Sequence, residues 1–228
     1  YRQTMGMCRT VLRNSAEWKK TCLYLQAGMG RQGGLQFDAP YPLINKNKQT
    51  LEPSEKLLRD AARFGFIRDL TFGRKSVSFR FPSQSARQTL LTFGSWLELF
   101  VYIHASQIPV FEDVRCGAIL DWNAYDGVEI LGNEIDVVLM KSSIPVFISC
   151  KQAEPDADAV NELMVIQSRL GGSYGKSILI TLADTKKLNT PMNRRAKELG
   201  IMVMDKTDIL AADFRNRLKN LIMEAVPF

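Results

Sequence analysis

Apolar positions along this chain change their period several times, and those changes divide it. Up to about residue 50, only the stretch around 15–25 has the spacing of an amphipathic helix. The glycine-rich and proline-rich run from 28 to 42 reads as loop, so residues 1–50 are expected to be a connector. From Pro53 the pattern sharpens into a helix over about 54–62. Two strand-like segments follow, 67–72 and 76–81, joined by Gly73-Arg74-Lys75. A helix followed by a basic-tipped hairpin resembles a small winged-helix module over 51–84, in which Arg74 and Lys75 would meet nucleic acid. A surface hairpin with solvated charges is the competing reading.

Ser85 is placed to cap a long helix to about residue 105, apolar on most of its circumference and so expected to be buried. Strands are predicted over 114–122, 134–140 and 145–151, then a helix over 157–170 and a strand over 177–181. A helix over 191–199, a strand over 201–204 and a terminal helix complete the chain. The class is α/β, and the order from residue 85 is αβββαβ followed by αβα. No internal repeat or low-complexity tract interrupts it.

The segments 134–140 and 145–151 lie close enough in sequence to form an antiparallel hairpin. Pairing Met140 with Pro145 sets Asp136 opposite Ser149 and Glu134 opposite Lys151. Side chains alternate with a period of two, so these four polar groups share one face of the ribbon. Two carboxylates and an ammonium among β-branched strands are costly unless paired or bound to a metal. Hard divalent cations such as Mg²⁺ or Mn²⁺ suit that oxygen-rich setting. A structural salt bridge between Glu134 and Lys151 is the bland alternative. Glu98 sits inside the apolar helix, where a carboxylate requires a reason; it is either surface-facing or completes the metal site.

The 228 residues include 46% hydrophobic and 24% charged side chains, enough for one full domain and a smaller one. A net charge of +6 is a modest pointer to a polyanionic partner. With His104 as the single histidine, zinc hydrolases, Ser-His-Asp sites and two-histidine ribonucleases are excluded. His104 itself is expected to be a cap or a surface residue. Cys8, Cys22, Cys116 and Cys150 show no CxxC pairing and read as reduced thiols. No apolar run long enough for a membrane span and no signal-peptide pattern is present, so the cytoplasm is the expected compartment. A start at Tyr1 rather than Met suggests a fragment of a longer protein.

Glu98 on a helix, Asp136 on one strand and Ser149-Cys150-Lys151 on the next resemble the PD-(D/E)xK nuclease pattern. The blocks Gly94-Ser95-Trp96-Leu97-Glu98, Asn133-Glu134-Ile135-Asp136, Ile148-Ser149-Cys150-Lys151 and Leu170-Gly171-Gly172 are similar to the C-terminal nuclease domain of CRISPR ancillary nucleases activated by cyclic oligoadenylate. The likeness extends over roughly residues 54–199. It implies a restriction-endonuclease-like αβββαβ core with a small winged-helix-like N-terminal module, the nuclease domain occupying 85–228. It also implies a homodimer, an upstream cyclic-oligoadenylate sensor, and DNA or RNA as substrate in antiviral defence. The implied metal ligands are Glu98, Asp136 and the main-chain carbonyl of Cys150, with Glu134 in support and Lys151 orienting the attacking water.

Ser149 departs from that pattern, since an acidic residue is usual there. Either Glu98 or Glu134 supplies the missing charge, or the domain is a catalytically weak nucleic-acid-binding module. The run from Gly171 to Ser177 is not a phosphate-binding P-loop, because Leu170 stands where its first glycine is required. Tyr174 and Lys176 in that run can still contact a nucleic-acid strand by stacking or phosphate contact; a plain turn is the alternative. Arg194, Arg195, Lys197, Arg215, Arg217 and Lys219 read as solvated helix faces.

Overall fold

The structure, a computed structural model, describes residues 1–29, 34–122, 132–184 and 191–225. The chain divides into two units, Tyr1–Trp96 and Leu97–Phe228.

Two helices open the first unit, α1 (Arg2–Arg13) and α2 (Ser15–Met29). Met7, Cys8, Val11 and Leu12 make one buried face on α1, and Trp18, Cys22, Leu25 and Met29 make another on α2. Strand β1 (Gln36–Pro40) then buries Phe37 and Ala39 in strict alternation. Residues 1–50 are therefore not a connector, because they contribute helices, a strand and a large share of the core of this unit. The two-residue strands β2 (Leu43–Ile44) and β3 (Thr50–Leu51) pair with each other. Helix α3 (Glu55–Arg63) is capped by Ser54, whose side chain accepts the Leu57 N–H at 3.4 Å.

Strands β4 (Arg68–Phe72) and β5 (Ser76–Arg80) form the expected hairpin. β1 joins the far side of β5, giving the order β1-β5-β4. Phe37 stacks on Phe79 with ring centroids 4.5 Å apart. Trp96 is contacted edge-on by Trp18 and Phe66, at 5.8 Å and 4.8 Å. Helix α4 (Gln84–Leu91) is capped by Ser83 rather than Ser85. It stops at Thr92, which is extended, and α5 (Ser95–Ala105) starts afresh. The single long helix is thus two, since Thr92 and Gly94 are both poor helix formers. The division between the two compact units falls after Trp96, inside α5.

In the second unit α5 leads into β6 (Asp113–Asp121), β7 (Gly132–Lys141) and β8 (Ile144–Lys151). Helix α6 (Ala157–Ile166) follows, prolonged by a π-helical turn (Gln167–Gly171), then β9 (Lys176–Thr181), α7 (Pro191–Glu198), β10 (Met202–Met204), α8 (Lys206–Ile209) and α9 (Phe214–Ala225). The sheet runs β10-β9-β8-β7-β6. Strands β6, β7 and β8 are antiparallel, while β8, β9 and β10 are parallel, so α6 is a crossover. Val160, Leu163 and Ile166 of α6 join Ile135, Phe147, Leu179, Ala196 and Ile201 in one core cluster. Helix α6 is thereby fixed against the strands that carry the candidate chemistry.

The turn between β7 and β8 is tighter than expected. Lys141 pairs with Ile144, leaving Ser142 and Ser143 as a two-residue loop with φ of 47° and 68°. Such turns need positive φ at both positions to match the strand twist. His104 is a core residue instead of a cap, 5% exposed and packed against Phe100 and Phe214 at 4.6 Å and 5.2 Å. Among the described residues no helix is long and apolar enough to cross a membrane.

Candidate active site

Met140 faces Pro145 as the alternation predicts, and the β7–β8 ladder runs from Lys141↔Ile144 to Val137↔Ile148. There the two strands part. The next residue on β7 is Asp136, and its Oδ2 accepts the main-chain N–H of Cys150 at 2.5 Å. A carboxylate thus takes the hydrogen bond that a strand carbonyl would otherwise accept. The β6–β7 ladder passes over the same residue, going from Cys116↔Val137 to Ala118↔Ile135. Gly117, the position passed over on β6, has φ +66°, which side-chain-bearing residues rarely adopt. Asp136 is therefore released from regular pairing on both sides.

A small cleft opens where the strands separate. Asp136, Ser149, Lys151 and Glu134 line it together with Ile135 and Ile148, although the β7–β8 pairing ends at Val137↔Ile148, short of the expected Asp136–Ser149 and Glu134–Lys151 pairs. Ser149 hydrogen-bonds the Asp136 carboxylate. No salt bridge links Glu134 to Lys151 among the described residues, so the purely structural pairing is not what holds these charges. Helix α6 supplies the remaining wall through Glu162, Leu163 and Ile166.

Glu162 is the residue that reading the sequence missed. Its Oε1 accepts a hydrogen bond from Asn133 Nδ2 at 2.5 Å. The Asn133 Oδ1 in turn accepts the indole N–H of Trp122 at 2.6 Å. The only signal in the sequence was a carboxylate adjoining the apolar stripe of a crossover helix.

Glu98, on α5, does not line the cleft but stands in its field. Burial, then the charges of Asp136 and Glu134, push its carboxyl up to about 7, with Lys151 partly offsetting them. Burial also raises Asp136, opposed by the Cys150 N–H, Lys151 and the Ser149 hydrogen bond, while Glu134 adds to the rise. Burial, followed by Asp136 and Glu98, drives the Cys150 thiol well above its ordinary value, so it stays neutral and inert. The centre thus carries more negative charge than Lys151 balances.

That surplus, on oxygen donors only, fits a hard divalent cation. Among the described residues no three His, Cys, Asp or Glu side chains converge closely enough to form a complete ligand cluster. An ion here would draw the rest of its shell from main-chain carbonyl and water, as Mg²⁺ commonly does.

The nucleic-acid candidates are spread out. Arg74 and Lys75 are exposed in the β4–β5 turn of the first unit. In the second unit Tyr174 is 65% exposed, and Lys176 is half-buried at the start of β9.

Two solved structures share the fold. Protein VC1899 from Vibrio cholerae superposes with a TM-score of 0.72 at 18% identity, covering 99% of this chain and 57% of that one. Can2 from Sulfobacillus thermosulfidooxidans, solved in complex with cyclic tetra-adenylate, has a TM-score of 0.56 at 19% identity, covering 100% of this chain and 57% of its own. This chain thus spans little more than half the length of either. No curated protein matches it. Residues 85–225, which hold every side chain of the cleft, match the family described as Card1-like, endonuclease domain. The chain belongs to this family of endonuclease domains.

Proposed function

We propose that this chain is a divalent-metal-dependent endonuclease that hydrolyses phosphodiester bonds of DNA, RNA or both in CRISPR-linked antiviral defence. The observation that carries the reading is the release of Asp136 from both ladders into a cleft that it shares with Lys151. The order α5-β6-β7-β8-α6-β9 supports a restriction-endonuclease-like core, and α3 with the β4–β5 hairpin supports a winged-helix-like module before it.

Asp136 and Glu98, with the main-chain carbonyl of Cys150, would hold Mg²⁺ or Mn²⁺, which supplies Lewis acidity at the phosphoryl oxygen and toward water. The Cys150 N–H and Ser149 fix the Asp136 carboxylate in one orientation. Lys151 orients the attacking water and stabilises charge developing on the phosphoryl group, as a compact ammonium does. Burial and the charges of Asp136 and Glu134 raise the Glu98 carboxyl to about 7 in the metal-free chain, and a divalent cation would offset them and favour its ionised form. The bound cyclic tetra-adenylate of Can2, and the share of its length that this chain lacks, favour control by a cyclic-oligoadenylate sensor outside this sequence.

Cleavage of labelled single-stranded DNA, supercoiled DNA and RNA with Mg²⁺ or Mn²⁺, each against EDTA, tests the reading. Asp136→Asn and Lys151→Ala are each expected to reduce metal-dependent cleavage by at least about 100-fold while leaving the thermal unfolding midpoint within a few degrees. Wild-type rates in either variant sink the assignment. Ser149 favours a second reading, a nucleic-acid-binding module with weak catalysis. Retained binding without cleavage in any metal selects it.

A further inference from the structure

The hairpin pattern leaves one place short. Beside Asp136, position 149 offers a hydroxyl already engaged with the Asp136 carboxylate, so it brings no charge of its own to the cleft. The wall contributed by α6 brings one. Glu162 lines the same cleft as Asp136, Ser149 and Lys151, one residue before Leu163, whose burial at 2% exposure anchors the helix there.

The position of the Glu162 carboxylate is set by a directed chain of hydrogen bonds. An indole N–H only donates, so the Trp122 bond to Asn133 Oδ1 fixes which end of the Asn133 amide is the acceptor. The amide nitrogen is then left to donate to Glu162 Oε1. The indole is in turn covered by the guanidinium of Arg169, 5.1 Å from its ring. One Glu162 oxygen is held by this relay, and the side chain stays half-buried at the cleft wall. A tie between helix and strand needs only an acceptor at that oxygen. A carboxylate on the wall of a cleft that Asp136 and Glu134 also line brings more than a tie requires, namely a further hard oxygen donor.

We infer that Glu162 supplies, from α6, the metal-binding carboxylate that Ser149 does not supply from β8, binding the cation directly or through a water. The inference rests on the nuclease reading. Ser149 and Glu162 are then complementary: the acid has moved from the strand to the adjoining helix while facing the same cleft. Ser149 is free to orient Asp136 because the charge is delivered from elsewhere.

Glu162→Gln separates the two roles, since its side-chain oxygen still accepts from Asn133 while the charge is gone. Titration of the full chain with Mn²⁺ alone, followed by calorimetry, is expected to show Kd raised about tenfold or more in this variant. Its thermal unfolding midpoint without metal should stay at the wild-type value or rise. Adding Ser149→Glu to Glu162→Gln is expected to restore Mn²⁺ affinity to within a few-fold, and metal-dependent cleavage with it. Wild-type Mn²⁺ affinity in Glu162→Gln, or no recovery in the double variant, overturns the inference. If Asp136→Asn abolishes Mn²⁺ binding while Glu162→Gln does not alter it, the nuclease reading stands and only the role of Glu162 falls. If the wild-type chain binds no Mn²⁺, both fall together.

Discussion

At the scale of single residues, the site is a problem in placing like charges. Glu98 titrates at about 7 against an ordinary 4.5, chiefly through burial and then through Asp136 and Glu134. Between those values the folded chain holds a proton that the unfolded chain has released, so folding takes up protons in this window. The stabilisation is present in full below about 4.5 and is lost as pH rises to about 7. Thermal unfolding of the metal-free chain across that range, compared with Glu98→Gln, should show wild type losing about 1–2 kcal/mol relative to the variant, a figure reduced for partial solvent screening. Parallel curves for the two proteins would show that Glu98 is not strained by its neighbours. Asp136, Ser149 and Lys151 were legible in the sequence because strand alternation alone assigns them to one face. Glu162 was not, because its place depends on how α6 crosses from β8 to β9, and no local pattern encodes that path. His104 was misread for a related reason: its burial is created by Phe214, more than a hundred residues away.

At the scale of elements, the important device is an interruption in the pairing. The β7–β8 register followed from the hydrophobic pattern, but the parting of those strands at Asp136 did not, since nothing in 134–151 marks where pairing stops. Gly117 supplies part of the reason. At φ +66° it carries β6 past Asp136 without pairing, and a Cβ there would stand 3.4 Å from Glu134 Oε1, an ordinary contact. The cost of Gly117→Ala is therefore backbone strain rather than a clash, and urea unfolding should show a loss of about 1–2 kcal/mol. Gly117→Asn should lose less, because asparagine tolerates the left-handed region better. Equal stability of wild type and the alanine variant would contradict the strained conformation. Other elements were hidden by composition. Strand β1 contains Asp38 and ends at Pro40, both turn-forming residues, yet it lies at a sheet edge where a missing N–H is tolerated. Helix α1 contains Gly6 and Thr10, which weaken its local helical signal, although Met7, Cys8, Val11 and Leu12 bury one face.

At the scale of the whole molecule, a net charge of +6 coexists with a cleft whose own balance is negative. The two are compatible if the basic surface captures the polyanion and the acidic centre is neutralised by the cation that acts on it. The basic excess belongs to the first unit, with 16 basic against 6 acidic side chains, whereas the second has 14 against 18. Arg74 and Lys75 lie in the first unit, and Lys176 lies in the second. Each phosphate contact that releases a counterion steepens the fall of log affinity against log salt by about 0.7–0.9. Measured between about 50 and 200 mM salt, without divalent metal so that cleavage does not intervene, the Lys75→Ala and Lys176→Ala variants should each flatten that slope by nearly one unit. Tyr174→Ala should lower affinity at every salt concentration and leave the slope unchanged, because stacking is not a counterion effect. A Lys176→Ala variant with the wild-type slope removes that lysine from the nucleic-acid interface, and a Tyr174→Ala variant of unchanged affinity removes the stacking contact. If both hold but Lys75→Ala is silent, Lys75 of the β4–β5 turn lies outside an interface to which Tyr174 and Lys176 belong.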